Sequence, residues 1–478
     1  MAVVLALDVG SSFAKAQRFD EAGSAVGDLA RRPTHIGRDG RADVEDVVAG
    51  LEALVDEALG AGPEPAAVAL SSAWHTLVGV DGHGRATTEL STWMDDRASD
   101  EASELRSAVA DAGDVHHRIG APIHPSLPAA CVLWFARHEA DAFSATRRWC
   151  SLPELFVSRW FAETVGPSLS MASGTGLYDQ RANAWDAELL AAVGITADAL
   201  AIVDEEPRTG LASAYRTRWP ALAGVPWFPA LGDGACAAIG ADCATPGRAA
   251  LTVGTSAAVR VLTDRDRRWA APLPSALFGY AVDADVPVVG AARSNAGAAV
   301  AWAADVLGVS ARDPVTEATV GRAPGSHGLA VDPSLTAERS PSWPVAPTAS
   351  MSGLRRTTTA LDILQAFVEA VAFGVADAVD PVERWAGPQV LVLGGGASTS
   401  AGWRHLLADA LGRPIACSPI SEESARGAAL AAFARMGASA PPPPAREEVV
   451  DPDPARAEAF ARLRAAQPDR PFAASWGP

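Results

Sequence analysis

Asp233 is the residue whose type and setting best suit general-base chemistry. It lies in the stretch LGDGA at residues 231–235, where two glycines flank the carboxylate after an apolar run. Transfer of a phosphoryl group to an alcohol needs a carboxylate near the hydroxyl, because the transition state must lose that proton. The alternative is an aspartate in a glycine-rich turn or at a helix start, which is common. The position between two small-residue loops favours the base.

Those two loops have the composition of phosphate-binding turns. The first is DVGSS at residues 8–12, followed by Lys15, and the second is GTS at residues 254–256. Small residues let backbone N–H groups and hydroxyls face phosphate oxygens, and Asp8 at a strand end suits hydrated Mg²⁺. Each loop alone is also an ordinary tight turn. As a pair they predict a clamp on one nucleotide phosphate chain.

A third group, nearer the C-terminus, suits a nucleobase and ribose. Three glycines at residues 394–396 follow a predicted strand and precede a predicted helix. Glycine lets the chain pass close to a flat or bulky group. A strand-to-helix turn without a ligand explains the run equally well when it stands alone. Downstream, residues 423–429 predict a helix of small residues that packs close to another backbone.

Polar side chains in predicted strand ends and loops suit a polyhydroxylated substrate, although each is also compatible with a structural role. They are His75 with Trp74, Asp95, Arg97 and His124. The chain has no C-x-x-C or H-E-x-x-H spacing, which argues against a metal site made of protein ligands alone.

The elements that must position these residues repeat along the chain. Apolar runs at residues 3–7 and 251–253 each enter a small-residue turn and leave into further apolar sequence, as β-hairpins do. One more buried strand follows in each half, at residues 66–70 and 390–393. Two α/β halves are therefore predicted, with a join near residues 243–248.

The predicted limits are residues 1–244, residues 245–438 and a Pro-rich spacer with a tail at residues 439–478. The tail is expected to contribute one surface helix. Further helices are predicted at residues 47–59, 100–112 (with a stop at Ala112-Gly113), 359–379 and 403–411.

Length and composition narrow the class of protein. The chain has 478 residues, 49% of them hydrophobic, and a formal net charge of −18, which disfavours nucleic-acid binding. It has no apolar run long enough to cross a membrane, and its start does not resemble a signal peptide. Five cysteines without paired spacing favour a reduced, cytoplasmic protein. The oligomeric state is left open, with a homodimer as one alternative.

These residues, in this order, resemble the FGGY family of carbohydrate kinases, of the actin and ribonuclease-H-like superfamily. The resemblance spans residues 3–435, and within the family it is closest to bacterial gluconate kinases. Three stretches carry that preference: residues 71–75, 120–125 and 232–234. After the aspartate, xylulose kinases typically have Asn and glycerol kinases Gln, whereas this chain has Gly234.

The resemblance implies an α/β fold of two actin-like (ribonuclease-H-like) domains that flank a central cleft, with ATP and Mg²⁺ as cofactors. It implies a nucleotide site, with Asp8 holding Mg²⁺ through water, formed by Asp8, Gly10, Ser11, Ser12, Lys15, Gly254, Thr255, Gly395, Gly396, Glu423 and Gly427. It implies a sugar site, with Asp233 as the catalytic base, formed by Trp74, His75, Asp95, Arg97, His124, Asp233 and Asn295.

The expected activity is ATP-dependent phosphorylation of the terminal hydroxyl of a sugar acid, with gluconate as the first candidate. One alternative keeps the chemistry and takes a ketose or polyol such as xylulose. Another is a sugar- and nucleotide-binding regulator with little turnover. The chain departs from the family pattern at Cys131 and Ala337, among other positions.

Overall fold

The structure, a computed structural model, describes residues 2–60, 62–310, 312–439 and 447–466. The strands of the first half are β1 (Val3–Val9), β2 (Phe13–Asp20), β3 (Ala25–Pro33), β4 (Arg41–Ala42), β5 (Ala67–Ser72), β6 (Val78–Val80), β7 (Leu90–Ser91), β8 (Arg148–Cys150), β9 (Tyr178–Asp179), β10 (Ala184–Trp185) and β11 (Leu231–Gly232). Its helices are α1 (Val44–Leu59), α2 (Ser99–Ala108), α3 (Ala112–Ile119), α4 (Pro128–His138), α5 (Ala140–Ala145), α6 (Leu152–Phe161), α7 (Leu169–Ser173), α8 (Ala187–Val193), α9 (Ser213–Arg218) and α10 (Asp233–Gly240).

The second half has a matching set of elements. Its strands are β12 (Arg248–Val253), β13 (Ala257–Leu262), β14 (Phe278–Ala281), β15 (Pro287–Arg293), β16 (Ala330–Asp332), β17 (Ser350–Ser352), β18 (Val390–Gly394), β19 (Ile415–Cys417) and β20 (Glu448–Val450). Its helices are α11 (Arg265–Trp269), α12 (Gly297–Val306), α13 (Pro314–Thr319), α14 (Ala360–Ala386), α15 (Ala401–Leu411), α16 (Glu423–Arg435) and α17 (Pro454–Ala466). Within the described residues, no helix combines the length and apolar character needed to cross a membrane.

The two main sheets share one topology, which confirms the predicted internal repetition. The first sheet has the order β11-β5-β1-β2-β3, and the second contains the corresponding order β19-β18-β12-β13-β15. In each, an antiparallel hairpin (β1–β2, β12–β13) lies beside a parallel pair (β1–β5, β12–β18). The buried strands are apolar on both faces, since helices cover both sides of each sheet.

Helix α16 joins the two halves, although it follows the second sheet in the sequence. Its Ala425 and Ala428 pack with Val4, Ala6 and Ala69 of β1 and β5 in one buried cluster. The helix therefore completes the core of the first half, although it lies beyond the predicted join in the sequence. The predicted domain limits remain predictions.

A very close crossing of α16 with α10 makes this arrangement possible. A Cβ added to Gly427 of α16 would lie 1.8 Å from the carbonyl oxygen of Cys236, and one added to Gly240 of α10 would lie 1.8 Å from that of Glu423. Only glycine allows backbones to approach to this distance. The prediction that this helix packs close to another backbone is confirmed.

Two helix predictions were wrong at their ends. Helix α2 ends at Ala108, and Ala112-Gly113 begin α3 because the Asp111 carboxylate accepts hydrogen bonds from the backbone N–H groups of Gly113 (2.8 Å) and Asp114 (3.0 Å). Helix α14 continues past residue 379 to Ala386, with Gly387 as its C-terminal cap.

The tail contains more than a surface helix. Strand β20 pairs with β19 and extends the second sheet, and α17 buries Phe460 completely. The Phe460 ring lies 5.9 Å from that of Phe373, and Arg456 pairs with Asp409 at 2.7 Å. Residues 447–466 therefore belong to the core of the second half. The predicted spacer at residues 441–444 lies outside the described residues.

Candidate active site between the two sheets

Parallel strands bring Asp8 and Asp233 to the same edge of the first sheet. Asp8, near the end of β1, is level with Ser71 of β5, and Ser71 is level with Leu231 of β11. Asp233 then begins α10 directly after β11. The carboxyl ends of parallel strands meet at one edge, which is where such sheets usually place ligands. Residues 225 apart in the sequence thereby face one cleft.

The second sheet presents its loops in the same way. Strand β12 ends at Val253, directly before Gly254, and its neighbour β18 ends at Gly394, level with Thr252. Helix α12 begins against this loop, where the backbone N–H of Gly297 donates to the carbonyl of Gly254 at 2.9 Å. A Cβ at Gly297 would lie 2.4 Å from that carbonyl oxygen, so the loop and the helix need glycine there.

A cleft of about 250 Å³ separates the two loops. It is lined by both predicted phosphate turns, by the start of α10 and by several cations and aromatic rings: Asp8, Gly10, Ser11, Ser12, Phe13, Lys15, Arg31, Trp93, Asp233, Gly234, Ala237, Thr252, Gly254, Thr255, Ser256, Arg260 and Ser424. The structure thus brings the predicted base together with seven of the predicted nucleotide-site residues: Asp8, Gly10, Ser11, Ser12, Lys15, Gly254 and Thr255.

A smaller chamber of about 50 Å³ adjoins the cleft. Trp93, Asp233, Ser256 and Arg260 line both spaces, so they form the passage between them. The chamber alone is lined by Ala73, Trp74, His75, Phe278, Tyr280, Ala292, Arg339 and Trp343. Asp233 therefore lies where a group held in the chamber would meet a group held in the cleft.

The carboxylate of Asp233 is held at this passage by its own helix. Its Oδ1 accepts a hydrogen bond of 2.7 Å from the backbone N–H of Gly234. Burial raises the pKa of Asp233 above the ordinary aspartate value, and the nearby guanidinium of Arg260 opposes that shift. A carboxylate with a raised pKa is a stronger base than a solvated one, which suits removal of a hydroxyl proton.

Asp8 has the environment that a hydrated divalent cation requires. One carboxylate oxygen accepts a hydrogen bond of 2.7 Å from Ser71 Oγ. Burial raises the pKa of Asp8 to about 6, and the neighbouring charges of Asp233 and Glu422 add to that rise. A cation beside Asp8 would stabilise this concentration of negative charge. The residues present therefore fit Mg²⁺.

His75 is arranged to accept a hydrogen bond inside the chamber. Its Nδ1 lies 2.7 Å from the carbonyl oxygen of Gly174, so Nδ1 carries the proton and donates it. Burial lowers the pKa of His75 to about 4, which keeps the ring neutral near pH 7. Nε2 consequently has a free lone pair for a substrate hydroxyl.

Four predicted nucleotide-site residues lie beside the cleft without lining it. Gly395 and Gly396 follow β18, and Gly395 has a left-handed backbone (φ 71°) that brings it against Val253. Burial raises the pKa of Glu423 to about 7, and its carboxylate lies against Gly394. Gly427 lies in the α10–α16 crossing. Their roles with adenosine remain predictions.

Asp95 and Arg97 face each other rather than the chamber. Arg97 Nε lies 2.9 Å from Asp95 Oδ2, and Arg97 also pairs with Glu89 at 2.5 Å. The Arg97 guanidinium stacks 4.1 Å from the centre of the Trp134 ring. In this conformation both side chains have protein partners and line neither space.

His124 and Asn295 instead fix the segment that carries Arg339. Nε2 of His124 lies 3.1 Å from the carbonyl oxygen of Glu338, and Nδ2 of Asn295 donates to the Glu338 carboxylate at 3.2 Å. Burial lowers the pKa of His124 to about 3, so its ring is neutral. The structure places both outside the chamber lining, in a position to orient Arg339.

Several lining residues were absent from the predicted sites: Phe13, Arg31, Trp93, Arg260, Phe278, Tyr280, Arg339 and Trp343. The most informative signal was Arg260, a charged residue within the apolar strand AAVRVL of β13. A charge inside a buried strand needs a partner or a function. The aromatic residues gave no such signal, because rings are equally typical of a core.

Comparison with known proteins agrees with this geometry. Residues 3–240 match the N-terminal domain of the FGGY family of carbohydrate kinases, and residues 249–436 match its C-terminal domain. A gluconokinase of Bacillus licheniformis is 26% identical over 384 residues, covering 77% of this chain and 74% of that protein. A xylulose kinase of Streptomyces rubiginosus is 31% identical over 373 residues, covering 77% and 73%.

Solved structures show the same fold. A ligand-bound xylulose kinase from Lactobacillus acidophilus superposes with a TM-score of 0.84 at 22% identity, covering 97% of this chain and 96% of that one. A gluconate kinase from the same organism gives a TM-score of 0.82 at 22% identity with the same coverage. The predicted pair of actin-like domains is confirmed. The chain belongs to the FGGY family of carbohydrate kinases, enzymes that transfer a phosphoryl group from ATP to an alcohol.

Proposed function

We propose that this kinase phosphorylates the terminal hydroxyl of a sugar acid in the cytoplasm, with gluconate as the first candidate and 6-phosphogluconate as its product. The observation that carries the substrate class is Arg260. Its guanidinium lies at the passage beside Asp233, and no ion pair within 4 Å is formed by Arg260 in the part of the chain that the structure describes.

The burial of Arg260 makes the missing hydrogen bond at its Nε and the missing close ion pair significant. Its Nε is sealed from solvent without a hydrogen-bond partner, and burial lowers the pKa of its guanidinium to about 10. An unpaired buried charge is costly in free energy. A bound anion that accepts its hydrogen bonds would remove that cost.

Arg339 adds a second cation to the chamber. Its Nε donates to Ser294 Oγ at 3.2 Å, and its guanidinium lies 4.9 Å from the centre of the Trp93 ring. Among the described residues it forms no ion pair within 4 Å, and Asp233 is the only carboxylate in the chamber lining. Two guanidinium groups facing one carboxylate favour a substrate with its own carboxylate.

The glycine after the base supports the same substrate class. A Cβ at Gly234 would lie 2.4 Å from Arg260 Nε and 2.7 Å from the Trp74 ring. The Asn or Gln found here in xylulose and glycerol kinases would therefore displace the guanidinium.

In the proposed reaction, the chamber holds the sugar acid and directs its terminal hydroxyl at Asp233. Asp233 accepts the hydroxyl proton as the oxygen attacks the γ-phosphorus, and the bond from that phosphorus to the bridging oxygen of ADP breaks. Backbone N–H groups of both loops bind the phosphate oxygens. Asp8 would hold hydrated Mg²⁺, and that ion would supply positive charge to neutralise the phosphate oxygens.

The test is a substrate panel with coupled detection of ADP. Gluconate and other sugar acids should give the highest kcat/KM, and neutral ketoses and polyols should give much less. A preference for xylulose would overturn this proposal in favour of a kinase for a ketose or polyol. The 31% identity to a xylulose kinase supports that alternative. Sugar-dependent thermal stabilisation without ADP release would favour a binding protein without turnover.

Arg260→Leu tests the proposed selectivity directly. It should lower kcat/KM for the sugar acid by about 100-fold, because a charged hydrogen-bond pair contributes about 1.5–3 kcal/mol. The low kcat/KM for a neutral ketose should fall less, so the ratio of the two would decrease. Arg260→Lys, which keeps the charge, should restore part of the ratio. An unchanged ratio in Arg260→Leu would contradict the proposed role.

A further inference from the structure

Arg31 is a cation of the phosphate cleft that the sequence motifs do not include. It lies on β3, level with Lys15 of β2, and its side chain lines the cleft with both phosphate loops. In the part of the chain that the structure describes, Arg31 has no ion pair within 4 Å. Its neighbour Arg32 points to the other face of the strand and pairs with Glu57 at 3.0 Å.

Phe13 holds the Arg31 guanidinium in place. The central carbon of that guanidinium lies 3.5 Å from the centre of the Phe13 ring, a stacked cation–π contact. Phe13 follows the first phosphate loop directly and is itself 36% exposed. Stacking on a ring fixes the plane of the guanidinium while leaving its N–H edge free. The side chain is therefore oriented before any anion binds, which reduces the entropy lost on binding.

Lys15, the cation that the motif assigns to the phosphates, is already engaged. Its Nζ lies 2.6 Å from the carboxylate of Glu422, at the start of α16, and both side chains are largely buried. This ion pair neutralises much of the charge that Lys15 would offer to a phosphate. The carboxylates of Asp8 and Asp233, which also line the cleft, further weaken its positive potential. A nucleotide triphosphate therefore needs a cation besides Lys15.

We infer that Arg31, positioned by Phe13, binds a phosphate group of ATP in this cleft. The guanidinium offers two parallel N–H groups, which match two oxygens of one phosphate. The inference rests on the proposed function only in taking the cleft as the nucleotide site, and it does not depend on which sugar is phosphorylated.

The experiment compares Arg31→Gln with Arg32→Gln in the full-length protein. Calorimetric titration with MgATP, without sugar, should show affinity at least about 10-fold weaker for Arg31→Gln, as loss of a charged hydrogen bond predicts. Arg32→Gln makes the same charge change on the opposite face and should stay within about 2-fold of the parent. Phe13→Leu should weaken binding by about 2- to 5-fold, in line with a cation–π contact.

Three outcomes would overturn the inference. The first is an unchanged affinity for MgATP in Arg31→Gln, and the second is an equal loss of that affinity in Arg32→Gln. The third is an equal rise of the KM for ATP and the KM for the sugar in Arg31→Gln. The second would indicate a general effect of net charge. Once a sugar substrate is identified, Arg31→Gln should raise the KM for ATP and leave the KM for the sugar unchanged. Thermal unfolding of each variant checks that the fold is intact. Since the titration needs no sugar, it remains decisive if the proposed sugar acid is wrong.

Discussion

Asp233→Asn should lower kcat by about 1,000-fold, which corresponds to about 4 kcal/mol of transition-state stabilisation. The amide keeps the size of the carboxylate but cannot accept the hydroxyl proton. Binding of MgATP, measured by titration, should change little, because the phosphate loops are intact. Near-normal turnover with the true substrate would contradict the assignment of Asp233 as the base.

A surface aspartate provides the matched control for that substitution. Asp305 near the end of α12 is exposed, and it makes a loose ion pair of 3.8 Å with Arg38, which is also exposed. Asp305→Asn removes the same charge and should leave kcat unchanged. In the parent enzyme, kcat/KM should fall as the pH drops through the raised pKa of Asp233, since protonation removes the base. The acid limb should therefore lie above the ordinary aspartate value of 3.8.

Gly427→Ala should reduce the free energy of unfolding by about 3 kcal/mol, because the new methyl group overlaps the carbonyl oxygen of Cys236. The overlap forces α10 and α16 apart. Asp233 at the start of α10 and Ser424 near the start of α16 both line the cleft, so kcat should fall as well. Urea unfolding and a kinase assay on the same preparation measure the two effects.

Gly50→Ala is the corresponding control within a helix that has free space. Gly50 lies inside α1, and a Cβ added there meets no heavy atom within 4 Å. Replacing it should raise the free energy of unfolding by about 0.5–1 kcal/mol, since alanine favours the helix. A Gly427→Ala protein with parental stability and a higher KM for ATP would instead assign Gly427 to direct nucleotide contact.

The sequence by itself predicted the central strands of each half and the two small-residue loops, and it proposed Asp233 as the base. Strands β1 and β12 are continuous apolar runs that end in small residues, and this local pattern predicts a hairpin in each half without reference to the rest of the chain. The repetition of the pattern then predicts two similar sheets. Asp233 was singled out because a glycine stands on each side of it. The structure shows why: the ring of Trp74 lies so close that a Cβ at either position would contact it.

Only the tertiary structure decided which polar residues enter the site. Asp95, Arg97, His124 and Asn295 all have suitable chemistry, yet ion pairs and backbone carbonyls engage them elsewhere. The partners of His124 and Asn295 are distant in sequence, so no local pattern reveals them. Asp95 and Arg97 instead pair with each other, and the sequence does not show whether such a pair faces the site. For Arg260 the sequence showed only a charge in an apolar strand.

The same reason explains the helices that the sequence placed poorly. The spacing of small residues in α16 predicted a close contact but could not name its partner, which is α10 of the other half. Residues 448–450 gave no hint that they extend the second sheet. Local patterns fix where a strand, a turn or a cap forms, whereas the packing of distant elements decides which side chains remain free to meet a substrate.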